Sequence, residues 1–143
     1  MNKNYIFVYG SLRKGMINHE VLNNMNAIYI GDYKTTQNYY MIGLKSKAYP
    51  YVIEEKINND LIKNPIYGEV YTVSNEGILY LDGLEGHPHN YTREKVNVIN
   101  ETTSINAYIY ILRNEEMINS IKTNFGKRFI AVPGNDWKVF LET

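Results

Sequence analysis

The sequence predicts an α+β fold, a small closed or nearly closed mixed β-barrel of about six strands with short peripheral helices. Three observations carry this. At 143 residues the chain suffices for one domain with its own core and has no need of a second. Six or more runs rich in Tyr, Ile, Val and Thr read as strands, against only two or three short helical stretches. A sheet of that many strands in so small a chain would expose its edges, and closure removes them. With no internal repeat and no low-complexity linker, residues 1–143 form a single domain.

Tyr5-Ile6-Phe7-Val8-Tyr9 has the composition of a strand buried on both faces, and it breaks at Gly10-Ser11 into a turn. Glycine there lets a ligand approach the main chain, and successive N–H groups of such a turn can form an anion-binding concavity. Asn18 caps a short helix from His19 to about Met25. Ala27 to Tyr33 and Thr35 to Leu44 read as two strands with a bulge or turn at Gly31-Asp32. Ala48 to Ile53 is extended, with Pro50 confining it to an edge or a strand start, and the polar Glu54 to Asn64 is loop-like.

Ile66 to Val73 is a strand in which Gly68 marks a bulge or a close backbone approach. Ser74 then caps a helix over Asn75 to Glu85, which stops on Gly86 with Pro88 just beyond. Tyr91 to Ile99 and Ser104 to Leu112 form a hairpin across the polar residues 100–103. Glu115 to Ile121 is a short helix. Residues 129–132 and 137–141 are apolar segments around the turn Pro133-Gly134-Asn135.

Composition narrows the function. Fifteen Lys+Arg balance 15 Asp+Glu, so no charge excess recruits nucleic acid or an anionic membrane, and the pairs Arg13-Lys14 and Lys127-Arg128 are expected on the solvated surface. The lack of cysteine excludes disulfides, a thiolate nucleophile and a zinc-thiolate site. No signal-like segment follows Met1 and no apolar run approaches the ~20 residues of a membrane span. The expected location is cytoplasmic, as a monomer or homodimer.

Candidate chemistry centres on the helix Asn75 to Glu85. At about 100° per residue, Glu85 falls between Ile78 and Leu81 on the apolar stripe, with Leu84 beyond Leu81, while Asp82 sits at the margin and can face solvent. A carboxylate stands where packing favours leucine. Apolar neighbours and the negative end of the helix both raise its pKa, which suits proton transfer near neutral pH. Pairing with Arg93 or hydrogen bonding to tyrosine hydroxyls accounts equally well for its position. His87 and His89 flank Pro88 without a third ligand at a recognisable spacing and read as surface histidines. His19 reads as a helix-start residue. Ser11 lacks the setting of a nucleophile, and the Gly10 to Gly15 spacing of a phosphate loop has Met16 where the lysine belongs.

Val8-Tyr9-Gly10-Ser11-Leu12-Arg13-Lys14-Gly15, then Asn18-His19 and Leu22, then Tyr67-Gly68-Glu69-Val70-Tyr71 and the run from Leu81 through Glu85 to Arg93, together resemble the γ-glutamylcyclotransferase-like superfamily. The Tyr-Gly-Ser-Leu loop and the Glu-x-x-Pro-x-x-Tyr-x-Arg run are most similar to its γ-glutamylamine cyclotransferase branch. The resemblance spans roughly residues 5 to 112 and thins from Glu115, where Gly134-Asn135-Asp136-Trp137 is similar to a Gly-Asp-Trp ending with Asn135 inserted. It implies a γ-glutamylcyclotransferase-like barrel, no cofactor and no metal, a small γ-glutamyl substrate, and Glu85 as general acid/base. Tyr9, Gly10, Ser11 and Leu12 would bind substrate, with Tyr91 and Tyr51 lining the pocket. The implied reaction releases 5-oxoproline from a γ-glutamyl amine such as γ-glutamyl-ε-lysine. The same chemistry on γ-glutamyl dipeptides, and a non-catalytic small-ligand binding module, are the alternatives.

Overall fold

The computed structural model describes residues 3–143. Its strands are β1 (Asn4–Val8), β2 (Ile28–Leu44), β3 (Pro50–Ile53), β4 (Asn64–Val73), β5 (Tyr91–Ile99), β6 (Ser104–Leu112) and β7 (Phe129–Ala131). The helices are α1 (Glu20–Asn24), α2 (Asn75–Glu85), α3 (Glu115–Thr123) and α4 (Trp137–Leu141). Strands β2, β4, β1, β6 and β5 are neighbours in that order, and β5 returns to β2 to close a mixed five-stranded barrel. Only β1 and β6 run parallel within the ring; the other pairs are antiparallel. β3 and β7 add to the C-terminal half of β2 outside the ring. No helix among the described residues is long and apolar enough to cross a membrane.

One expectation is corrected here. Residues 28–44 form a single 17-residue strand instead of two. Register shifts against β4, between Tyr29 and Gly31 and again between Lys34 and Asn38, bend the strand without ending it. One strand thereby serves two sheets, as barrel wall at its start and as partner of β3 and β7 at its end.

From Ile6 to Val8, β1 is buried on both faces because β4 and β6 flank it and separate layers cover each side, whereas Tyr5 is exposed. Phe7 joins Val70, Val98, Ile109 and Ile111 in the main core, which Trp137 and Phe140 of α4 complete. Ile6 and Val8 face the other way and pack with Leu22 of α1 and Ile78 and Leu81 of α2. This second layer anchors α2 and therefore the position of its C-terminus.

Gly68 lets β4 approach β1 closely. A Cβ there would lie 2.3 Å from the Val8 carbonyl oxygen and 2.7 Å from the Phe7 ring. Gly68→Ala is expected to push β1 from β4 and to cost about 2–3 kcal/mol in denaturant unfolding. Gly83→Ala, inside α2 with no atom within 4 Å of the added methyl, is expected to raise stability by about 0.5–1 kcal/mol.

Candidate active site

A cavity of about 730 Å³ opens beyond the C-terminal end of β1. Its walls come from the loop Tyr9 to Leu12, the end of α2 at Leu84 and Glu85, Asn90 and Tyr91 at the start of β5, Tyr49 to Tyr51 at β3, and one side of α3. The elements meet here because each ends here.

Helix α2 begins where Ser74 accepts the Gly77 amide at 3.0 Å. It ends in a Schellman turn: Gly86 adopts φ 69°, its N–H bonds to the Gly83 carbonyl, and the His87 N–H bonds to that of Asp82. Glu85, the last helical residue, thus lies at the point where the chain reverses. Its carboxyl makes no hydrogen bond or ion pair with any described residue, and burial alone pushes its pKa up to about 7.

Arg93 belongs to Asp82 instead. Its Nε and Nη2 bond to the two Asp82 carboxylate oxygens at 2.8 and 3.2 Å, and the Tyr110 hydroxyl donates to Oδ1 at 2.8 Å. The Arg93 guanidinium also lies 4.4 Å over the Tyr108 ring. Asp82 is therefore not the solvent-facing residue its helical angle implies, because β5 and β6 bring a cation and a phenol to the margin of the stripe. Burial pushes its carboxyl up, but Arg93 and Tyr110 outweigh that and hold it below the usual range. Leu84, placed by the same angle on the apolar side, is 53% exposed at the cavity rim.

Tyr9 and Tyr91 share the cavity with Glu85. The Tyr9 hydroxyl donates to the Tyr110 carbonyl at 2.7 Å. Burial first, then the neighbouring phenol and the Glu85 charge, raise the pKa of Tyr9; burial first, then Glu85, raise that of Tyr91. Both remain neutral hydrogen-bonding groups. Tyr51 stacks on Tyr91 with ring centroids 6.5 Å apart, and Tyr49 meets Tyr51 edge-on.

The turn after β1 is held through its carbonyls. Gly10 O accepts from Arg13 N, Ser11 O from Asn18 N, and Leu12 O lies 2.9 Å from His19 Nδ1. The N–H groups of Gly10, Ser11 and Leu12 donate to no acceptor among the described residues. Asn18 does not cap α1 through its side chain; its amide bonds to Ser11 Oγ, and His19 occupies the cap position. Gly10 has a further reason to be glycine, since a Cβ there would lie 2.8 Å from the Pro50 ring. The bare backbone serves packing against β3 as well as access from the cavity.

Arg13 is not on the solvated surface. Its Nε pairs with Glu69 at 3.0 Å and its Nη1 with Asp136 at 3.0 Å, while Glu69 also accepts from the Lys14 amide, Tyr71 and Lys138. Burial pushes the Glu69 carboxyl up, and these donors together overcome it and hold it below the usual range. Sequence reasoning gave Glu69 no role, although a lone charge inside the apolar run Ile66 to Val73 was the available signal. His87 accepts the Arg93 N–H through Nδ1 at 2.9 Å and lies outside the cavity wall.

The closed mixed barrel with its added strands has the fold of the AIG2-like proteins. The fold matches a mouse AIG2-like protein with a TM-score of 0.66, at 22% identity over 81% of this chain and 82% of that one. It also matches a protein specific to uropathogenic E. coli with a TM-score of 0.70, at 15% identity over 99% and 98%. Residues 6–139 match the family model described as gamma-glutamyl cyclotransferase, AIG2-like, and the chain belongs to that family. A Methanocaldococcus jannaschii protein provisionally named a gamma-glutamylcyclotransferase is 44% identical over 108 residues, covering 74% of this chain and 82% of that protein. Gamma-glutamylaminecyclotransferase C of Danio rerio is 30% identical over 105 residues, covering 68% and 64%.

The raised Glu85 pKa fixes a sign for stability. Between about pH 4.5 and about pH 7 the unfolded carboxyl is ionised while the folded one keeps its proton. The stability due to the neutral group is complete below the lower value and lost as pH rises through the upper one. Glu85→Gln, neutral throughout, is expected to match the parent near about pH 4 and to exceed it by on the order of 3 kcal/mol above about pH 8 in urea unfolding.

Proposed function

We propose that the protein is a cyclotransferase converting γ-glutamyl amines, such as γ-glutamyl-ε-lysine, to 5-oxoproline and the free amine. The observation that carries this is the Glu85 carboxyl, half-buried in the cavity wall with no ion pair or hydrogen bond among the described residues, while Arg93 is taken by Asp82. Membership of the gamma-glutamyl cyclotransferase family supports the chemistry, and the Danio rerio relative supports the amine substrate.

In this reading the substrate folds so that its α-amine, in neutral form, attacks its own γ-carbonyl carbon. The tethered nucleophile leaves the protein mainly to fix the attacking shape. As the new C–N bond forms, the attacking nitrogen passes a proton to the Glu85 carboxylate. The tetrahedral centre then collapses, the bond to the leaving nitrogen breaks, and Glu85 delivers that proton to it. A carboxyl with a pKa near 7 does both steps with little cost in either direction. The unused N–H groups of Gly10, Ser11 and Leu12 would hold the substrate carboxylate or the developing oxyanion. Tyr9 and Tyr91 form the wall beside the reacting nitrogen. Arg93 and Tyr110 act through Asp82, holding the end of α2 so that Glu85 stays in place.

Following 5-oxoproline release from γ-glutamyl-ε-lysine and γ-glutamyl-alanine tests the reading; binding of both without release from either would make the barrel a binding module. Glu85→Gln is expected to lose at least about 10³-fold in kcat while still binding 5-oxoproline. Below about pH 7 the kcat/KM of the parent should fall a further tenfold per unit relative to that of Glu85→Gln, since protonation of the substrate α-amine acts on both alike. Asp82→Asn, by loosening the end of α2, is expected to lower kcat by about 10–100-fold with a parallel loss of stability.

A further inference from the structure

The cavity is far larger than a glutamyl group requires, and its far wall is made by α3. A volume of about 730 Å³ is in the range that accepts a drug-sized ligand, so a leaving group fits inside with the glutamyl end. Ile118 and Ile121 turn into the core, while Glu116 and Ser120, one turn apart, present α3 to the cavity. The two acidic residues in the wall are Glu85 and Glu116, the latter exposed at the rim, and no Lys, Arg or His lines it.

Three of the surrounding cations are committed elsewhere. Arg93 is bound by Asp82, Arg113 by Glu94 and Glu54, and Lys122 by Glu55. Arg128 is the exception: it makes no ion pair among the described residues, lies over the Phe129 ring, and its charge reaches Tyr51 in the cavity wall. Glu116 makes no ion pair among the described residues. Both Glu115 and Glu116 sit in the first turn of α3, where the helix dipole favours acids, so that preference does not explain why one of them faces the cavity.

Resting on the cyclotransferase reading above, we infer that Glu116 selects the leaving amine, and that the preferred substrates are γ-glutamyl conjugates of diamines. Such a leaving group carries a second ammonium for Glu116 and no carboxylate, for which the wall itself holds no basic residue. Cyclisation gives 5-oxoproline and the diamine, with the distal ammonium unchanged throughout.

The test compares 5-oxoproline release from γ-glutamyl-1,4-diaminobutane and from γ-glutamyl-butylamine, which has the same chain without the ammonium. The parent is expected to favour the diamine conjugate about tenfold in kcat/KM, less at high salt. Glu116→Gln should bring that ratio close to one, whereas Glu115→Gln should keep it. A ratio unmoved by Glu116→Gln overturns the inference, as does a preference for γ-glutamyl-alanine over the diamine conjugate, which would assign the leaving group to Arg128. Release from γ-glutamyl-butylamine in either case leaves the cyclotransferase reading standing. No release from any conjugate overturns that reading, and this inference with it.

Discussion

The Asp82–Arg93 ion pair is the interaction on which the rest of the site depends. Asp82 and Glu85 stand three residues apart on α2, so one guanidinium from β5 is within reach of the same helical turn as both. Asp82 takes it in bidentate form and adds the Tyr110 hydroxyl. The carboxylate that is paired stays ionised and fixes the helix end; the one left alone is destabilised as an anion and holds its proton near neutrality. Two acidic groups on one helix thus acquire opposite characters from their surroundings.

A second ion-pair network does for the backbone turn what the first does for α2. Glu69 on β4 gathers Arg13, the Lys14 amide, Tyr71 and Lys138, and Arg13 continues to Asp136 at the cap of α4. A buried charge that loses its partner costs several kcal/mol, so each donor here is constrained by the others. The consequence is positional. The turn after β1 is tied from below to the barrel wall and from behind to the C-terminal helix, and its carbonyls are spent on Arg13, Asn18 and His19. The N–H groups of the turn keep no acceptor among the described residues, and its residues line the cavity.

The C-terminal segment has more structural work than its weak sequence resemblance implies. Asn135, the residue inserted in the Gly-Asp-Trp pattern, adopts φ 52° and bridges the Tyr39 and Asn64 carbonyls through its amide. That geometry carries Trp137 and Phe140 into the main core. Closing the core and buttressing the turn are therefore one event.

Much was legible in the sequence because it depends on local rules. Strand composition, the Ser74 and Gly86 boundaries of α2, the hairpin at residues 100–103 and the apolar-face position of Glu85 all follow from periodicity and capping, which act over a few residues. The family was legible in its motifs. Tertiary structure alone decided which carboxylate receives Arg93, that Arg13 is buried, and that residues 28–44 continue as one strand through two bulges. Each of these turns on a partner distant in the chain: Asp82 and Arg93 meet across separate elements, Arg13 meets Glu69 and Asp136, and β2 bends to serve two sheets. A sequence read locally assigns each residue a face; only the folded chain says what stands opposite it.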